Sequence, residues 1–129
     1  MKMKTLRSLF AATLLLAAGA ALADDFKLAP TLVGNWAGEW KFQGVAGKLT
    51  SKISGSEGNQ LKGQATWFGT AVGDLDLAFN KAEVKDGAVV VEHPYNMSFK
   101  ATVSEDGKTM TGTWESMAGS GPMQMKKVD

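Results

Sequence analysis

The chain has 129 residues, 14 basic and 13 acidic, with a formal net charge of +1 and no cysteine. That length allows one domain once a targeting segment is subtracted. The missing cysteine excludes disulfides, thiolate nucleophiles and thiolate metal ligands, and the interleaved charges lack the basic cluster that nucleic-acid binding needs.

Lys2, Lys4 and Arg7 precede the apolar run from Leu9 to Ala18, and Ala21-Leu22-Ala23 follows as a small-x-small site. This order predicts a Sec-type export signal, residues 1–23, cut after Ala23. The apolar run falls short of the roughly 20 residues that span a bilayer. No Arg-Arg pair precedes it, and no cysteine follows it for lipid attachment. The expected location is the periplasm or the outside of the cell, with no stable membrane insertion after cleavage. The cut leaves 106 residues carrying 11 basic and 13 acidic side chains, net −2. Residues 24–31 read as a polar leader closed by Pro30, and residues 32–129 as the folded domain.

From Asn35 onward the apolar period is two, the mark of half-buried strands. Trp36, Gly38, Trp40 and Phe42 share one face, as do Leu49, Ser51 and Ile53. Leu61, Gly63, Ala65 and Trp67 form the next inward set, followed by Leu75, Leu77 and Phe79. The pattern continues with Tyr95, Met97, Phe99, Ala101 and Val103, then Met110, Gly112 and Trp114, then Met123 and Met125. Turn signals separate the runs. Asp86-Gly87 and Asp106-Gly107 read as tight hairpins, Gly55 to Asn59 as a turn, and Gly69–Gly73 and Ala118–Pro122 as looser connections. Asn80-Lys81 reads as a bulge or a break, and His93-Pro94 as a bend or a loop. No helical period follows the signal. The prediction is an all-β domain: an antiparallel up-and-down β-barrel of about eight strands, closed so that no edge is exposed.

Gly34-Asn35-Trp36-Ala37-Gly38 opens the first strand with G-x-W-x-G, which resembles the lipocalin and wider calycin barrels. The resemblance implies a lipocalin-like barrel with Trp36 packed across its closed end. The pattern is also similar to small β-domains of bacterial secreted proteins, whose late strand reads like Gly107 to Trp114. The chain is shorter than lipocalins, lacks the cysteine pair many of them carry, and shows no C-terminal helix. These departures argue against a spacious cup. Nitrobindin-like haem barrels also open on G-x-W-x-G, but they need an axial histidine in a C-terminal strand. The one histidine, His93, lies in a middle segment, so haem is not expected.

The remaining residue patterns favour binding over catalysis. One histidine and no cysteine exclude a zinc site of ordinary composition. Glu92 and His93 are adjacent on a strand and point to opposite sides. No G-x-S-x-G elbow is present, and Asp74 and Asp76 read as a solvated outer face. Met123 and Met125 read as gap-filling core rather than a copper site. Neither catalytic residues, nor a metal, nor a cofactor is expected. Inward glycines beside many inward aromatics either make room for indoles or leave a cavity. The leading expectation is a small hydrophobic ligand held among Trp40, Trp67, Tyr95, Phe99, Met110 and Trp114. The alternative is a filled-core structural or protein-interaction module, of unidentified partner, using the Gly69–Gly73 and Ala118–Pro122 loops.

Overall fold

A computed structural model describes residues 23–128. The export-signal reading lies outside the described residues except for Ala23. Nine strand segments follow one helix, α1 (residues 23–31). They are β1 (Gly34–Phe42), β2 (Val45–Glu57), β3 (Gln60–Thr70), β4 (Gly73–Ala78), β5 (Lys81–Lys85), β6 (Ala88–Glu92), β7 (Ser98–Val103), β8 (Thr109–Ser116) and β9 (Gly119–Lys127).

Sequential strands pair antiparallel around a ring. β1 pairs with β2 and β9, β2 with β3, and β5 to β9 each with the next. β4 and β5 occupy one position in that ring. Gln64 of β3 faces Ala78 of β4, and Gln60 faces Glu83 of β5. Four steps on β3 therefore oppose five on its neighbour, so Phe79 and Asn80 form a bulge within one long, bent strand. The result is a closed eight-stranded, all-antiparallel barrel. An interior of that size is filled by side chains or holds one small ligand.

The alternating pattern sets the faces. Trp36, Trp40, Leu49, Ile53, Leu61, Ala65, Trp67 and Leu77 are buried, as are Phe99, Ala101, Met110, Trp114, Met123 and Met125. Glu92 is exposed and His93 buried, on opposite sides of the chain as a strand requires. Asp86 and Gly87 both have positive φ (52° and 78°), the tight turn expected there.

Several local features differ from the sequence reading. The predicted polar leader is the helix α1. Its inward residues Asp25, Ala29 and the following Leu32 recur at i, i+4 and i+7 and are all buried. Gly55 to Glu57 continue β2 past an irregularity between Ile53 and Gly55, so the turn shrinks to Gly58-Asn59. Residues 104–108 form a five-residue loop rather than a two-residue hairpin. The Asp106 carboxylate accepts hydrogen bonds from Ser104 Oγ (2.6 Å) and the Lys108 amide (3.0 Å), which rounds the loop out. β9 already starts at Gly119, leaving Met117-Ala118 as the turn.

Helix α1 seals one end of the barrel. The Asp25 carboxylate accepts hydrogen bonds from the Asp86 and Gly87 amides, 2.8 and 2.9 Å away, across the β5–β6 turn. Trp36, 1% exposed, donates its indole N–H to the Leu32 carbonyl at 2.9 Å. Trp36 is thus the base of the core, as its position in the G-x-W pattern implied.

Candidate functional site

The turns β1–β2, β3–β4, β6–β7 and β8–β9 surround the end opposite α1. An apolar cavity of about 280 Å³ opens there. That is slightly below the roughly 300–1,000 Å³ usual for small-molecule sites. Trp40, Trp67 and Trp114 form its inner wall, with Phe42, Leu75 and Met97 beside them. Among the described residues, no charged side chain lines it.

The wall is a mesh of aromatic edges. Trp114 stands edge-to-face with Trp40 (centroids 6.2 Å apart), Phe42 (5.5 Å) and Trp67 (6.3 Å). Trp67 also meets Phe99 at 6.3 Å and His93 at 6.0 Å, the latter with its ring plane turned by 90°. Such pairs are worth about 0.5–1.5 kcal/mol each beyond their buried area, so the wall is stiff. Two of its indoles are also anchored to backbone. Trp40 Nε1 donates to the Phe68 carbonyl and Trp114 Nε1 to the Lys41 carbonyl, both at 2.9 Å.

One side of the mouth is incomplete. β4 pairs with β3 alone, because β6 ends at Glu92 and residues 93–97 turn the chain back into β7. His93 Nδ1 lies 2.9 Å from the Ala78 carbonyl and donates to it, in place of a strand amide. Burial lowers the His93 pKa below its ordinary 6.5, so the ring is neutral near pH 7. Leu75 of β4 and Tyr95 and Met97 of the 93–97 loop flank the gap and line the cavity.

Of the six candidate residues, Trp40, Trp67, Tyr95 and Trp114 meet at this cavity; Phe99 and Met110 do not line it. Phe99 is packed behind Trp67 and His93. Met110, fully buried, lies near the α1 end, opposite Met125. Tyr95 reaches the cavity from outside the barrel. It was expected to point inward but is 78% exposed, because Tyr95 and Asn96 adopt left-handed conformations (φ 64° and 57°) that lift the loop out of the strand pattern. The rim residues Val72 and Met117, 79% and 84% exposed, escaped the sequence reading of the pocket. The available signal was an apolar residue at a turn tip, where turn chemistry favours Gly, Asn or Asp.

The inward glycines follow a different logic from either one expected. A Cβ on Gly38, Gly63 or Gly112 would collide with the backbone carbonyl of Gln124, Lys52 or Lys100 respectively. They permit close approach of neighbouring strands, as glycine does at tight bends of a barrel. Gly47 instead clears room for the indole of Trp40, and Gly121 for that of Trp114 as well as for the Lys41 carbonyl.

No protein-family model matches the sequence, and no curated protein does. Among solved structures, the chain is similar to a redesigned β-barrel, with a TM-score of 0.57 and 13% identity. The match covers 81% of this chain and 95% of the designed one. At that identity the likeness shows the barrel fold alone.

Proposed function

We propose that this chain is an exported, lipocalin-like barrel that binds a small apolar or amphipathic molecule at its open end, in the periplasm or outside the cell. The observation that carries the reading is the cavity of about 280 Å³ walled by Trp40, Trp67 and Trp114 and free of charged side chains. Binding would draw on burial of apolar surface, about 25 cal/mol per Å² removed from water. The G-x-W-x-G opening and the seating of Trp36 over the closed end support the likeness to lipocalins. The signal-like N-terminus supports export, and a cut after Ala23 would spare the docking residues Asp25, Ala29 and Leu32.

The test is titration of the mature protein with a hydrophobic dye and with medium- and long-chain fatty acids and alcohols, followed by tryptophan fluorescence. We expect saturable quenching or a spectral shift, weakened at least about tenfold when Leu75→Trp fills the mouth. No saturable response from a cooperatively folded protein would refute the reading.

A second reading has its own support. Val45, beside the β1–β2 turn, and Val72, Tyr95 and Met117, on the other three turns of the open end, are all exposed. A rim of this kind suits contact with another protein. Val45→Asp, at an exposed rim residue that does not line the cavity, would then weaken partner capture while leaving dye binding intact.

A further inference from the structure

Buried polar atoms of folded proteins almost always find hydrogen-bond partners, since one left unpaired keeps the full penalty of its lost hydration. Three of the four indoles obey this rule, each donating at 2.9 Å to a backbone carbonyl: Trp36 to Leu32, Trp40 to Phe68 and Trp114 to Lys41. Trp67 does not. It is 1% exposed and lines the cavity, yet its Nε1 has no partner in the protein. Among the described residues one other buried side-chain atom shares that condition: Nε2 of His93, 4% exposed, whose ring stands edge-to-face against Trp67.

The two orphans are complementary. Indole Nε1–H can only donate. The Ala78 carbonyl can only accept, so the proton bound to the His93 ring sits on Nδ1. In the neutral ring, Nε2 is then a bare acceptor. One unsatisfied donor and one unsatisfied acceptor thus stand on adjoining rings, Trp67 lining the cavity and His93 packed against Trp67 just outside the lining. Two of the hydroxyls nearer the rim already have partners: Thr70 Oγ1 donates to the Gly73 carbonyl, and Ser116 Oγ accepts from the Ala118 amide.

We propose that the ligand carries an uncharged head group able both to accept and to donate a hydrogen bond, in the simplest case an alcohol, and enters the barrel head first to pair with Trp67 and His93. This deepens the cavity reading above and rests on it. A carboxylate does not fit. It would bring a buried negative charge against the His93 lone pair, with no cationic side chain in the wall to offset its desolvation. An alkane or ether leaves at least one of the two polar atoms unpaired. At about 30 Å³ per water-sized atom, the volume suits a ligand of roughly nine heavy atoms within the cavity.

The experiment compares 1-octanol with its unbranched isomer heptyl methyl ether, which accepts but cannot donate, and with octanoate. Affinities are read by dye displacement from the mature protein, and the indole N–H resonances by NMR. We expect 1-octanol to bind at least about tenfold more tightly than either competitor, one net hydrogen bond being worth about that factor. One indole resonance, the one missing from Trp67→Phe, should move most. His93→Phe should erase the preference while still binding the ether, whereas Trp67→Phe should weaken alcohol and ether alike and leave the preference in place. Equal affinities for alcohol and ether in the wild-type protein overturn this proposal alone and need no variant. Binding of none of the three, with no dye to displace, overturns it together with the cavity reading.

Discussion

Gly38 sits inward on β1, between Leu49 of β2 and Met125 of β9. A methyl group there meets backbone, which cannot rotate away, whereas one on Gly47 meets the indole of Trp40, which can shift. Gly38→Ala should therefore cost about 3 kcal/mol in urea unfolding, at the upper end for overpacking, and Gly47→Ala nearer 1 kcal/mol. Gly47→Ala should also disturb dye binding, because the displaced Trp40 lines the cavity. His93 adds a pH dependence of definite sign. Its folded pKa is lowered by burial, so below about pH 6.5 the unfolded chain binds a proton that the folded one resists. Stability from this group is complete above that pH and falls as pH drops towards the lowered folded value, by at most about 1.4 kcal/mol per pH unit. Urea unfolding between about pH 5 and 8 should show that slope, and His93→Gln should flatten it. The residue scale also marks a limit of the sequence. Period two says that Met110 and Trp114 share the inward face, but not that Met110 lies towards the closed end and Trp114 at the mouth. Depth is set by register around the whole ring, which no local pattern contains.

At the scale of elements, the strands were legible because their alternation is nearly unbroken, and Asp86-Gly87 because both residues tolerate positive φ. Helix α1 was not. Its described part is only nine residues long, it includes Pro30, and its buried face includes a carboxylate. Each of these features reads as exposed loop in isolation. Tertiary bonding overrides them: the Asp25 carboxylate takes two amides that the β5–β6 turn leaves unpaired, a charge-assisted arrangement stronger than a neutral one. Asp25→Ala should cost about 2 kcal/mol and undock α1, with Asp25→Asn between it and wild type, as read by chemical denaturation. Exposure of Trp36 to solvent, seen as a red shift in its emission, would show that the helix rather than the barrel has moved. β4 shows the converse. Its unpaired side follows from the early return of the chain at His93-Pro94, which the sequence marked only as a bend or a loop. Asp74 and Asp76 keep that short edge acidic, a common protection against pairing with another sheet.

The whole molecule has two unlike ends. The α1 end is turned by Gly58-Asn59, Asp86-Gly87 and the polar loop 104–108, while the open end carries Val45, Val72, Tyr95 and Met117. The wall between them is completed by pairing of β1 with β9, where Trp36 faces Lys127 across 91 positions of sequence. Short hairpins such as β2–β3 and β6–β7 form quickly, whereas so distant a pairing comes late. In pulsed hydrogen exchange during refolding, the hairpin amides should gain protection before those of Glu39 and Gln124, which face each other across the β1–β9 seam. Until β9 arrives, the chain is an open sheet whose outermost strands, β1 and β8, each show a row of unsatisfied amides and carbonyls. A variant ending before Met123 would therefore not settle as a smaller barrel: it would be left with two adhesive edges, and neighbouring copies would serve as the missing strand.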